Sequence, residues 1–393
     1  SYDLPAFDAA RPDAYWEAVR ALYPLAPDLK YFNTGGLGPA ASPVLARFDE
    51  VTRRLQSRVE HGHELLAGAR ATLARFLGAD PAEISFVRNA TEGNSVIAGG
   101  LKLSAGDEVI FESHAHPGGW YPWAQQHRLR GVVVKTFEPD PRDPAGNLAR
   151  IRALCTARTR VVQVSHVTAP TGIVMPVDDI ARFCRERGIW CHLDGAQSAG
   201  MIPFSLHAIG CDSFATSGHK WMGGPLETGV LYVRRDRLDE VAPVHVGSYS
   251  GELDEGNGDL RITGDALRYE YGTRTPAAPL GLAAAVELQE RIGRERIAAH
   301  GRTLASRLAE QLAPLPGVEV LSPVAGPLAG AMVTFRTSVM PYDVLFKRLF
   351  YGNGFRCRPV SEEKLNAVRV SAHVFNTPAE CDALIATTAD ILR

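Results

Sequence analysis

The chain has 393 residues, enough for two domains around substantial cores. Hydrophobic residues make up 45% and charged residues 22%, ordinary proportions for a globular protein. A net charge of −2 gives no basis for a nucleic-acid partner or an anionic membrane surface, and no apolar run is long enough to span a bilayer.

In chain order, Ser1-Tyr2-Asp3-Leu4-Pro5 has no signal-peptide apolar core, which fits an expression scar or a mature chain whose targeting segment has been removed. Ile84 to Val87 reads as a strand and leads into Asn89-Ala90-Thr91-Glu92-Gly93-Asn94. A polar turn opening an apolar helix offers free N–H groups and a positive dipole end, an anion site. A plain N-cap at Asn89 or Thr91 is the alternative. Glu108 to Phe111 is the next strand, and His114 and His116 follow it. That pair, with no carboxylate or further histidine nearby in sequence, is a poor metal site. His114 could instead stack on a flat ring or assist proton transfer.

Arg160 to Val164 reads as a strand ending before Ser165-His166, so His166 is expected to point into a crevice or to be a satisfied structural histidine. Asp179 to Arg187 carries Ile180, Phe183 and Cys184 at helix spacing, and Gly188 ends it. Ile189 to Leu193 is the following strand, with Asp194-Gly195-Ala196-Gln197 at its end. Such alternation implies βαβ units and a mainly parallel sheet, whose ligands bind at the carboxyl ends of the strands. Gly247 to Gly264 reads as a long loop near a domain boundary. Leu280 to Leu312 carries one long helical pattern, and a last helix runs from about Pro378 to Leu392. The expected division is a large α/β domain over 30–265 and a smaller α+β domain combining 1–29 with 266–393. The six cysteines form no CxxC pair and fit no zinc template, so no metal is expected.

The chemistry concentrates at Ser217-Gly218-His219-Lys220, which follows Asp194 by 26 residues. A lysine amine in such a loop can form a Schiff base with the aldehyde of pyridoxal 5'-phosphate (PLP). A carboxylate at a strand end can pair with the pyridine nitrogen and keep it protonated. Arg369 lies in Val368-Arg369-Val370, where alternation sets it on the face opposite the two valines. Arginine there suits bidentate capture of a carboxylate, or is a surface residue.

Together Asp194-Gly195-Ala196-Gln197, Ser217-Gly218-His219-Lys220, Tyr271-Gly272-Thr273-Arg274 and Arg369-Val370-Ser371 resemble fold-type I PLP enzymes of the class V aminotransferase group. The resemblance implies the PLP-dependent transferase fold, with a large mainly parallel domain and a smaller α+β one. It implies that Lys220 anchors the cofactor, Asp194 pairs with the ring nitrogen, Gln197 contacts the phenolate oxygen and His114 stacks on the ring, while His166 could bond the phenolate oxygen or a substrate group. Ala90, Thr91, Ser217 and His219 would hold the phosphate. Gly272 and Thr273 would reach the neighbouring subunit's phosphate in an obligate homodimer, and Arg369 with Asn33 would bind the substrate carboxylate.

Desulfurases of this group carry a nucleophilic cysteine before the carboxylate-binding arginine. The segment Arg358 to Leu365 has none, and Cys357 reads as part of a strand, so a desulfurase role is not expected. The stretches from His116 and from Arg369 resemble the isopenicillin N epimerase-like branch, and the opening through Tyr31 to Pro39 resembles periplasmic enzymes of pyoverdine siderophore maturation. That resemblance implies a periplasmic enzyme, or alternatively a cytoplasmic one. It would act on a small-molecule or siderophore-peptide substrate and convert a chromophore-attached glutamate to succinamide by decarboxylation and oxidation. An epimerase or C–S lyase is the alternative activity.

Overall fold

Alternating apolar strands and amphipathic helices build the larger layer of the molecule. The computed structural model describes residues 3–393. Seven strands form the central sheet: β1 (Ile84–Val87), β2 (Glu108–Glu112), β3 (Val133–Phe137), β4 (Thr159–Ser165), β5 (Trp190–Asp194), β6 (Ser213–Ser217) and β7 (Gly229–Val233). Their order is β1-β7-β6-β5-β4-β2-β3. Only β7 runs against its neighbours, pairing antiparallel with both β1 and β6.

Most of these strands are buried on both faces, so their side chains divide by parity between two cores. Ile110, Val162, Val164, Leu193, Phe214 and Val230 enter one core, while Val109, Phe111, Val161, Ala215 and Leu231 enter the other. Helices therefore cover the sheet on both sides. The carboxyl ends of every strand but β7 point to one edge, and residues 88–91, 113–118, 165–169, 194–197 and 217–220 all leave the sheet there.

A second, antiparallel sheet contains β8 (Val318–Val320), β9 (Met332–Thr337), β10 (Arg358–Val360) and β11 (Ala367–Ser371), in the order β8-β9-β11-β10. Val333, Phe335, Val368 and Val370 pack against the helices Arg294–Leu312, Tyr342–Asn353 and Pro378–Leu392. The opposite face carries Arg369, with Arg358 and Thr334 opposite it in register. That face meets the large layer, where Thr334 Oγ1 donates to Pro170 O at 2.6 Å and Arg369 Nη1 donates to Ala169 O at 2.6 Å. The N-terminal helix Pro12–Arg20 locks onto the same region, with Trp16 stacked on His300 at 3.8 Å.

Three expectations change. The long pattern from Leu280 to Leu312 is two helices, Ala277–Ile292 and Arg294–Leu312, because Gly293 takes φ 97° and ψ 115°, a conformation outside the helix. The first of these lies beyond the expected boundary at 265, yet Leu280, Leu282 and Val286 enter the large domain's core. The glycine-rich stretch around 247–264 contains a hairpin of Gly251–Asp254 and Asp259–Ile262 rather than a loop throughout.

Candidate active site

Each wall of the cleft at the strand ends has a local origin. After β1, Asn89 caps the helix Ala90–Gly100 by accepting from Glu92 N at 2.9 Å, which is the capping reading of this turn. Ala90 N donates to Ser217 Oγ at 3.0 Å, tying that helix start to the end of β6. After β5, Asp194 accepts from Ala196 N at 3.0 Å and from Asn94 Nδ2 at 2.9 Å. Gln197 Nε2 donates to Gly35 O at 2.8 Å, and its Oε1 accepts from the Trp221 indole at 2.7 Å. Trp221 is fully buried, and its carbonyl accepts from Gln289 and His373 at 2.6 and 2.8 Å. The residue after Lys220 is thereby fixed at three points, which sets where the lysine leaves the chain.

Six expected residues line one cleft: Ala90, Thr91, Asp194, Gln197, Ser217 and Lys220. Lys220 is buried among polar groups, with a carboxylate and two arginines acting on it. Burial first, and then the positive charges of Arg369 and Arg358, lower its amine to about 8 against the upward pull of Asp194. Asn33 and Arg369 also come together, Nη2 donating to Asn33 Oδ1 at 3.1 Å. Burial, then Arg358, lowers Arg369 to about 9, and its Nε is buried without a partner.

Other expected residues stand elsewhere. His114 does not line the cleft. Its Nδ1 pairs with Thr171 Oγ1 at 2.9 Å, and burial lowers the imidazole to about 4. His116 takes the cleft position, because Pro117 starts a helix and His116 becomes its N-cap, accepting from Gly118 N at 3.0 Å. His166 packs edge-on against Phe204 at 5.0 Å while Ser165 and Val167 line the cleft, since alternation turns the histidine to the other side. His219 is not on the cleft wall either, and its Nδ1 is buried without a partner. Gly272 and Thr273 line a separate groove with Arg88, Leu226 and Val244.

Sequence reasoning missed His116, for which Pro at the first helical position was the available signal. It also missed Arg358, whose place opposite Arg369 is set by cross-strand register. Arg358 pairs with Glu362 and leaves Nη1 buried without a partner. Asp80, Glu83 and His207 bring potential ligand atoms within 4.8 Å of one another, but Glu83 already accepts from Asp80 N and Arg235 N.

The residues present fit PLP. Hydroxyls and a helix N-terminus suit its phosphate, a hydrogen-bonded carboxylate suits its ring nitrogen, and an amine of lowered basicity suits its aldehyde. The unpartnered Arg369 Nε leaves capacity for a bound anionic group.

The family model for aminotransferase class-V matches residues 45–384. The isopenicillin N epimerase of Streptomyces clavuligerus is 31% identical over 389 residues, covering 94% of this chain and 97% of that one. A probable cysteine desulfurase of Halalkalibacterium halodurans is 30% identical over 378 residues, covering 91% of each. The cystine C–S lyase C-DES, solved with its product cysteine persulfide, superposes with a TM-score of 0.84 at 28% identity over 93% of this chain and 98% of that one. A lysine-to-alanine mutant of C-DES is solved with glycine covalently linked to its PLP cofactor.

These findings correct several expectations. The likeness runs to cysteine desulfurases and a C–S lyase, which overturns the isopenicillin N epimerase-like and pyoverdine-maturation assignment and the decarboxylating, oxidising reaction drawn from it. It also overturns the exclusion of the desulfurases, because one missing loop thiol is a local feature and the resemblance spans nearly the whole chain. The periplasmic placement rested on the pyoverdine resemblance and falls with it. The misleading motifs answer to packing. A Cβ on Gly119 would come within 3.0 Å of Asp194 Oδ2, and His373 bonds the Trp221 carbonyl, so Gly119 and His373 serve packing. By whole-chain likeness and by the construction of its cleft, the chain belongs to the aminotransferase class-V family and is a fold-type I enzyme that uses pyridoxal phosphate.

Proposed function

We propose that this protein cleaves the Cβ–S bond of a cystine-class amino acid, within the cysteine desulfurase and C–S lyase branch. The observation that carries the substrate class is the pair Arg358 and Arg369. They sit opposite each other in register on β10 and β11, and both charges act on Lys220. A substrate with one carboxylate occupies one arginine, whereas cystine brings two. Arg369 supports the role of α-carboxylate clamp, since its own bonds to Ala169 O and Asn33 make it rigid.

Bound pyridoxal phosphate supplies an electron sink that stabilises negative charge at Cα. Lys220 would anchor the cofactor and, once displaced by the substrate amine, take the Cα proton. Its lowered basicity leaves an appreciable free-amine fraction near neutral pH. A clamped carboxylate keeps its bond to Cα, which favours proton loss over decarboxylation. The Cβ–S electron pair then leaves with the sulfur. From cystine the leaving group is cysteine persulfide, so no protein thiol is needed as acceptor. All six cysteines pack in or against the hydrophobic cores, and burial pushes the Cys357 thiol up to about 12.

Asp194 would hold the ring nitrogen, with Ala90, Thr91 and Ser217 at the phosphate and His116 beside the ring. A homodimer with shared sites is part of this reading. Gly272 and Thr273 lie in an exposed groove with Leu226 and Val244, which are 66% and 49% exposed, and would reach the phosphate of the partner's cofactor.

The test is to incubate the cofactor-loaded protein with cystine and with cysteine, then measure pyruvate, ammonia, alanine and cyanide-reactive sulfur. Pyruvate with persulfide from cystine supports the lyase reading, and alanine with released sulfur from cysteine supports the desulfurase member of the same branch. Recovery of both amino acids with their sulfur intact would sink the proposal.

A further inference from the structure

Behind the cleft lies a row of buried polar side chains that the proposed chemistry does not touch. Trp190, His192, Asn94 and Ser213 are between 0 and 3% exposed. Strand pairing creates the row. His192 and Asp194 alternate onto one side of β5, Ser213 of β6 is the register partner of His192, and Asn94 comes from the helix Ala90–Gly100. Trp190 Nε1 donates to Ser213 Oγ at 2.8 Å. His192 Nδ1 meets Ser213 Oγ at 2.8 Å and His192 Nε2 meets Asn94 Oδ1 at 2.8 Å. Asn94 Nδ2 then donates to Asp194 Oδ2 at 2.9 Å and to Gly118 O at 3.1 Å.

Only one set of proton positions satisfies every link. Gly118 O can only accept, so Asn94 must turn its NH₂ toward Gly118 and Asp194 and its oxygen toward His192. That oxygen requires a proton on His192 Nε2. Burial holds the imidazole at about 4, so at neutral pH it carries a single proton, and Nδ1 accepts from the Ser213 hydroxyl. The indole, which can only donate, closes the far end. Both oxygens of Asp194 therefore receive donors, Oδ2 from Asn94 and Oδ1 from Ala196 N.

We propose that Trp190, Ser213, His192 and Asn94 form a one-directional hydrogen-bond relay that holds Asp194 as an acceptor and thereby controls the proton on the cofactor's ring nitrogen. The four are positioning residues acting through Asp194, and the inference rests on the proposed pairing of Asp194 with that nitrogen. Donors on both carboxylate oxygens fix its orientation as an acceptor for the ring nitrogen's proton. Losing the relay frees Asp194 to rotate away from the ring nitrogen.

The experiment reconstitutes apoenzyme with cofactor isotopically labelled at the ring nitrogen. It reads the nitrogen NMR shift and the cofactor dissociation constant, both without substrate. His192→Phe is expected to move the resonance toward unprotonated pyridine and to weaken cofactor binding about tenfold, the scale of one hydrogen bond to a charged group. His192→Gln, whose amide N–H can replace Nε2–H, is expected to keep the wild-type shift. If His192→Phe does not fold, Ser213→Ala removes a single oxygen and should move the shift in the same direction. A wild-type shift in His192→Phe, or in Ser213→Ala where that stands in for it, overturns the relay. Asp194→Asn separates the two levels. An unmoved shift there refutes the pairing itself, whereas a moved shift there with none in the relay variants refutes the relay alone.

Discussion

Replacing Arg358 by leucine removes the cation that stands opposite Arg369 on β10 and β11 and asks whether it reads a second carboxylate. In the folded chain Arg358 spends Nη2 on Glu362 and keeps Nη1 buried without a partner. A carboxylate meeting that nitrogen forms a charge-assisted bond of about 1.5–3 kcal/mol. The side chain is 24% exposed, so water screens part of this and the lower half of the range applies. That corresponds to roughly a ten- to fiftyfold fall in kcat/KM. Leucine alone would strand Glu362, so the informative comparison pairs Arg358→Leu with Glu362→Gln in one chain. The assay compares cystine with the mixed disulfide of cysteine and methanethiol, which has the same scissile bond and leaving-group type but one carboxylate. Cystine turnover should fall by that factor while the mixed disulfide changes less than about twofold. Equal losses on both substrates, or none on cystine, would refute the second-carboxylate argument.

The lowered amine of Lys220 makes a pH prediction. Only the free amine reacts with an aldehyde, so the rate of cofactor capture by apoenzyme should rise about tenfold per pH unit below about 8 and flatten above it. A rate that keeps climbing toward the ordinary lysine range would contradict the burial argument, and Lys220→Ala should bind cofactor without covalent attachment. Glu270 has no exposed side-chain surface and is bonded by Arg70, Arg274 and Phe86 N. Glu270→Ala leaves two arginines facing an empty site and should cost about 3–5 kcal/mol in urea unfolding. A cost under about 1 kcal/mol would show that the cluster relaxes freely. A Cβ on Gly38 would lie 1.9 Å from the Lys220 carbonyl oxygen, which is backbone. Gly38→Ala must therefore push the anchor loop, and purified protein should carry less cofactor. Wild-type occupancy would mean the loop yields without displacing Lys220.

Local patterns are readable from sequence when one element carries the whole signal. Asp194 and Lys220 sit where apolar runs end, so a strand pattern and a polar residue sufficed to place them. Arg369 stood out because Val368 and Val370 flank it, and the structure buries those valines in the small core with the arginine on the opposite face. His114 and His116 show where this fails. Both follow the same strand, and the choice between them depends on where Pro117 starts its helix and where Thr171, far along the chain, offers a hydroxyl.

Fold class, cofactor and the central pair of Asp194 and Lys220 follow from the linear pattern of residues, because alternation and strand-end chemistry act over a few positions. Folding was needed to establish which histidine faces the cleft, that Arg358 stands beside Arg369, and that Asn94, His192, Ser213 and Trp190 line up behind Asp194. Cross-strand register and helix-to-sheet packing join residues distant in sequence, and no short pattern encodes those distances. The direction of the chemistry was misjudged for a different reason. A missing loop cysteine is a local feature, whereas the likeness to cysteine desulfurases and a C–S lyase spans nearly the whole chain.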